Sequence, residues 1–272
     1  MFRPSTPFPP LPSLSLGLLL VGTMPTAAIS AHSGPTQALP SAASPSLHRL
    51  LEAEAFSVGA EKLIRISTTI PVGARYGAIQ FLEDNRISYD EAGRATTIYR
   101  YIFRLERESA IQGWGVVQAG WLPWLEERPI IRARVVAPDG SEHLLDPTTI
   151  GEVQPSSESP EMFQDHKVLR GPLPKLQVGA VVEVEIRTRD HRPFSRSGVR
   201  RNIPLCWNVP VQCSRVLVEL PASAPLQWSL QGLPKERLKR SVVGKRLRLS
   251  VEQSLTLPMK PQPCLPIYPI LY

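Results

Sequence analysis

The sequence predicts an all-β fold, an antiparallel β-sandwich, from three observations. Apolar and polar residues alternate with a period of two: Tyr99, Tyr101, Phe103 and Leu105 oppose Arg100, Ile102, Arg104 and Glu106, while Ile131, Ala133, Val135 and Ala137 oppose Arg132, Arg134 and Val136. Such alternation gives a strand one apolar face and one polar face. Turn chemistry punctuates these runs, at Glu91-Ala92-Gly93-Arg94, Pro138-Asp139-Gly140 and Val243-Gly244, because proline presets φ and glycine accepts a positive one. No long helical pattern intervenes between the runs, and many short strands in succession favour a sandwich over a parallel α/β sheet.

In chain order, residues 14–21 form an apolar run preceded by Arg3 and followed by the small residues Thr26, Ala27, Ala28 and Ser30. A run of that length suits the core of an export signal and is too short to span a bilayer, so residues 1–30 are expected to be a signal peptide; a proline-rich leader is the other reading. Residues 31–75 are expected to be a linker holding one short helix over 46–56, where Ser46 can cap and Leu47, Leu50, Leu51 and Ala55 recur at helical spacing. Residues 76–256 are the predicted sandwich. Its strands fall at 78–89, 99–105, 130–137, 142–145, 181–188, 215–220, 226–230, 237–242 and 245–252. Ala133, Val135, Val182, Val184, Val216, Val218, Leu247 and Leu249 share the inward phase. Of the 29 prolines, many crowd 4–12, 25–45 and 258–269, which makes both ends irregular and leaves 257–272 as a proline-rich tail. The 42% apolar content supports a packed core between those ends.

The net charge of +7 concentrates at 190–201 and 235–248. On an exported protein such a surface favours an anionic envelope polymer, lipid headgroups or an acidic protein, while the wet face of a sheet explains the same charges without a partner. The export signal and the lack of a nucleic-acid module argue against nucleic acid. No other segment is long and apolar enough to span a membrane.

Trp114, Trp121 and Trp124 lie close together among glycines. They form either an aromatic platform for a sugar or a proline-rich segment, or large rings that fill the core. Arg132 and Arg134 are the basic candidates for a binding face. Cysteines stand at 206, 213 and 264. A nucleophilic thiol needs a helix N-terminus or a histidine to lower its pKa, yet Cys206-Trp207 follows Ile203-Pro204-Leu205 rather than the glycine and serine of a papain-like site. Cys206 and Cys213 are expected to be a structural disulfide or two inert strand thiols. The pairs Asp165-His166 and Asp190-His191 do not make dyads, since neighbours on an extended chain point apart. No Cys or His spacing matches zinc and no glycine-rich loop precedes a helix, so neither a catalytic group nor a cofactor is assigned.

Read together, the arginine-bearing strand ending in Pro138-Asp139-Gly140, the following Asp146-Pro147, the run Leu173-Pro174 through Gly179 to Val182-Glu183, and Val209-Pro210-Val211 entering a strand that stops at Pro221 form an ordered set. It resembles domain of unknown function 3857, the β-sandwich domain that precedes transglutaminase-like cores in bacterial exported proteins. The resemblance spans roughly residues 76–263. It implies a periplasmic or secreted, non-catalytic accessory or binding module whose partner is a transglutaminase-like (thiol-peptidase-like) catalytic domain or another envelope protein. The family's catalytic residues belong to that downstream domain, and no position here matches them. The alternatives are a thiol hydrolase using Cys206 and a carbohydrate-binding sandwich using the three tryptophans.

Overall fold

A computed structural model describes residues 45–70, 76–153, 165–195, 201–205, 209–230, 233–256 and 264–268. Helices α1 (Pro45–Glu52) and α2 (Ala60–Thr68) come first. The long hairpin β1 (Ala78–Tyr89) and β2 (Ala95–Leu105) follows, then a single turn, α3 (Ile111–Trp114). The remaining strands are β3 (Val116–Trp121), β4 (Ile130–Val136), β5 (Glu142–Leu144), β6 (Gly151–Val153), β7 (Lys167–Pro172), β8 (Val181–Arg189), β9 (Arg201–Pro204), β10 (Val211–Pro221), β11 (Gln227–Trp228), β12 (Leu238–Val243), β13 (Arg246–Thr256) and β14 (Cys264–Tyr268).

Strands dominate, and the fold is all-β. One sheet of eight strands, in the order β12-β13-β10-β1-β2-β8-β4-β5, forms the backbone of the molecule, with three-stranded sheets β3-β7-β6 and β11-β14-β9 beside it. The expected turns form where the glycines allow them: Gly93 and Gly140 take φ of 78° and 85°, values that cost a side-chain-bearing residue steric strain. The sheet is mixed rather than antiparallel as expected, because β1 and β10 run parallel. That pairing joins strands distant in sequence, and a period-two pattern carries no information about strand direction.

Register divides the large sheet into two faces. Val216 pairs with Asn85, Asn85 with Tyr99, Tyr99 with Ile186 and Ile186 with Ile131, so these side chains share one face. On that face Tyr99, Tyr101, Phe103, Ala133, Val135, Val182, Val184 and Ile186 pack against Val117, Ala119, Trp121 and Leu169 of the β3-β7-β6 sheet. A second apolar cluster on the same face joins Val216, Val218, Leu247 and Leu249 to Ile203 and Leu205. All eight residues predicted to point inward are buried here. At about 1.5–3 kcal/mol for each fully buried large apolar side chain, this face is the main stabilising layer.

The opposite face carries α1 and α2. Leu47, Leu50 and Leu51 of α1 and Leu63 and Ile66 of α2 cover Phe81, Leu82, Ile102, Val136, Val181 and Cys213. The predicted helix over 46–56 is present as α1, but α2 was not anticipated, and both are part of the packed body rather than a linker. Strands β3, β6, β7, β9 and β14 also escaped the period-two reading. They have six residues or fewer and lack the Pro138-Asp139-Gly140 and Val243-Gly244 turns that mark the equally short β5 and β12. In the segment expected to be an irregular tail, residues 264–268 pair with β9 and β11.

Candidate functional site

The sequence candidates separate in space. Trp121 is buried in the apolar core, and Trp114 packs on Phe103 with ring centroids 4.6 Å apart. Trp124 alone is exposed, flanked by Phe194 and by the Arg192 guanidinium 4.9 Å from its ring. The three indoles therefore do not build one platform, because alternation on β3 turns Trp121 inward. Arg134 is likewise not a surface residue: its side chain is only 2% exposed. Arg132, two residues earlier on β4, is 50% exposed.

Arg134 is drawn inward by Glu183. On the helix-covered face, the rows across the sheet run Arg215, Asp84, Arg100, Glu185, Arg132 and, one step along, Leu82, Ile102, Glu183, Arg134. Three buried carboxylates in these rows each hold two guanidinium groups. Asp84 accepts from Arg86 and Arg215 at 2.7–2.9 Å, Glu183 from Arg100 and Arg134 at 2.7–2.9 Å, and Glu185 from Arg132 and Arg187 at 2.7 Å. The result is a ladder in which arginines outnumber buried acids two to one. Burial alone would raise the Glu185 carboxyl, but hydrogen bonds from Arg187 and Arg132 outweigh it and hold the group below its ordinary range.

Four of these arginines, joined by Arg104, anchor the helices. Arg100 donates to the Leu50 and Ala53 carbonyls, Arg86 and Arg215 to Leu51, Arg134 to Val58, and Arg104 to Ser67 and Ile70. Apart from Val58, which precedes the α2 N-cap Gly59, these carbonyls lie at or just past a helix C-terminus, where they lack intrahelical donors and sit at the negative end of the dipole, so cations satisfy them on both counts. Between the helices, Phe56 adopts a φ of 66°, its amide donates to Glu183 at 3.0 Å, and the Arg132 guanidinium lies 4.7 Å from its ring centroid. A positive φ at an aromatic residue is sterically costly, and the Glu183 bond and cation–π contact hold it in place.

The helices cover only part of this face. Beyond the end of α1 lies a cleft of about 390 Å³ floored by Ile98 and walled by Arg86, Arg100, Arg132, Glu185 and Arg187, with Glu54 among its lining residues. Further along the same strands, a second cleft of about 340 Å³ is lined by Arg94, Arg189 and Arg246 together with the acids Asp90, Asp190 and Glu219. Guanidinium groups stay protonated, so the arginines of these clefts offer fixed positive charge and hydrogen-bond donors rather than a proton to transfer.

The described cysteine is poorly suited to nucleophilic chemistry. Cys213 is a buried free thiol, so it makes no disulfide. Burial first and the Glu252 carboxylate second push it up to about 11. Cys206, and the side chain of Cys264, lie outside the described residues. Of the histidines, His143 faces Ser141, His191 faces the Trp124 carbonyl, and burial lowers the pKa of His166. Among the described residues no group of His, Cys, Asp and Glu is arranged to hold a metal, and no helix is long and apolar enough to cross a membrane.

Similarity to known proteins supports the strand reading. No curated protein sequence matches the chain. A solved structure from Parabacteroides distasonis ATCC 8503, described as a "putative protease", superposes with a TM-score of 0.63 at 16% identity. That match covers 71% of this chain but 40% of the other, so the two share a fold over less than half the length of the Parabacteroides protein. The model of the domain-of-unknown-function family with solved structures, DUF3857, matches residues 91–262. Because that match takes in most of the chain, including the Pro-Asp-Gly strand, β8 and the β12-β13 hairpin, the chain belongs to the DUF3857 family.

Proposed function

We propose that this chain is a non-catalytic accessory or binding module of an exported bacterial transglutaminase-like (thiol-peptidase-like) system, presenting a sheet face to a catalytic partner or to its substrate. The observation that carries this reading is the partial match to the Parabacteroides protein: the shared fold makes up 40% of a longer chain whose name denotes a protease. A sandwich module beside a separate catalytic part accounts for that proportion. The high pKa of the Cys213 thiol supports it, since a group that remains protonated at neutral pH is a poor nucleophile. An exported, periplasmic or extracellular location rests on the apolar run over 14–21 and the small residues after it. The carbohydrate-binding alternative loses its main support, because Trp121 is committed to the core.

The thiol-hydrolase alternative rests on Cys206 and is decided by assay. Purified chain, incubated with peptide and glutamine-donor substrates under reducing conditions, should give no thiol-dependent turnover. Turnover that disappears in Cys206→Ser, with the thermal melt unchanged, would replace the accessory module with an enzyme.

A further inference from the structure

We propose that the open half of the charged sheet face is a binding site for an extended acidic peptide carrying carboxylates on alternate residues. The site does not depend on the accessory role, since a segment of that chemistry would be recognised whichever protein carried it. The first support is the excess of arginine. Asp84, Glu183 and Glu185 are buried and committed inward, whereas Arg86, Arg132 and Arg187 keep 39%, 50% and 49% of their side chains exposed. Arg132 places one nitrogen and Arg187 its Nε on Glu185; neither makes an ion pair with a second acid among the described residues, although the charge of the exposed Glu54 reaches Arg187. Arg134 and Arg215, by contrast, each find a second acid, Glu142 and Glu52.

The second support is spacing. Arg86, Ile98 and Arg187 form one row across β1, β2 and β8, and Ser88, Thr96 and Arg189 form the next row on the same face. Successive same-face rows are about 6.8 Å apart, which is also the step between alternate side chains of an extended peptide. A peptide lying along the strands from the α1 end toward the β1-β2 turn would set one carboxylate among Arg86, Arg132 and Arg187. The next carboxylate on that side would fall beside Arg189 and Arg246 in the second cleft, whose own acids already have donors: Arg94 for Asp90, the Ala95 amide for Asp190 and Arg248 for Glu219. Guanidinium forks suit carboxylates because both are planar and can form paired hydrogen bonds. The lining favours a peptide over an anionic glycan: the first cleft has no aromatic ring for a sugar to stack on, and Tyr89 of the second is buried.

The test is fluorescence anisotropy with the full chain at low salt and a labelled peptide of four Glu-Ser repeats. Saturable binding is expected, with the dissociation constant rising roughly tenfold in the Arg132→Gln/Arg187→Gln double variant. Arg170→Gln, on β7 in the small sheet against the opposite face, should leave it unchanged. Glu54→Gln removes an exposed acid from the lining of the first cleft and should tighten binding about two- to threefold; being exposed, it tests the site even where the double variant fails to fold. A peptide of four glutamates followed by four serines should bind more weakly than the alternating one. The idea is overturned by absence of saturable binding, by equal affinity for the block and alternating peptides, or by no change in either Glu54→Gln or the folded double variant. Equally strong competition from an oligogalacturonate would replace the acidic peptide with an anionic polymer.

Discussion

Glu183 lies beneath Arg100 and Arg134 and also accepts the Phe56 amide, so one fully buried carboxylate ties two strands and the inter-helix turn together. Removing one partner of a buried charge cluster strands the others in a poorly solvating interior. Glu183→Gln should therefore lower stability by about 3–5 kcal/mol, read as a drop in the urea midpoint. Glu185 makes a pH-dependent contribution. Its folded pKa is depressed, so its stabilisation is complete above the ordinary glutamate range and is lost as pH falls through the depressed value. Glu126 and Asp190 have the opposite sign: burial raises their folded pKa values, so their contribution is present at low pH and lost as pH rises through those values. Glu185→Gln should consequently weaken the fall in stability on acidification below about pH 4, measured as urea midpoint against pH. The arginines of this ladder were legible in the sequence as a phase on β4 and β2, but their burial was not. An arginine on the polar phase of a strand reads as solvent-facing until something is known to lie over it, and the helices that cover Arg100 and Arg134 are remote in sequence.

At the scale of elements, what could be read from the chain depended on length and on turn signals, since β5 and β12 are short but adjoin Pro138-Asp139-Gly140 and Val243-Gly244. The β1-β2 hairpin, β4, β8, β10 and β13 each run to seven residues or more, long enough for alternation to register. Helix α1 was visible through Leu47, Leu50 and Leu51, whereas α2 offers only Leu63, Ile64 and Ile66 in a polar segment. The parallel pairing of β1 with β10 was hidden because pairing partners across a long sequence separation leave no local mark. That pairing has a consequence for the family match, which begins at residue 91 and so omits β1. Strand β1 sits between β10 and β2 in the middle of the large sheet. A fragment of residues 91–262 would lack α1, α2 and β1, leaving the edges of β2 and β10 unpaired and uncovering Ile102, Val136, Val181 and Cys213. It should fail to fold cooperatively, giving no sigmoidal melt by circular dichroism, whereas residues 45–268 should show one.

Over the whole molecule, one face of the large sheet is spent on two apolar clusters against the small sheets, and the other is shared between docked helices and exposed arginines. A structure that stabilises itself mostly through one face leaves the other available for recognition, which is the property an accessory module needs. The net charge of +7 pointed to anionic partners in general, but only strand register shows which arginines converge on one cleft. The most direct measurement of the accessory role is isothermal titration of the purified chain with a transglutaminase-like core from the same genome, accompanied by the core's rate of peptide turnover. The account predicts a saturable one-to-one complex at micromolar concentration and a change in the core's turnover on binding. No heat of binding and no change in turnover at the highest soluble concentrations would contradict it.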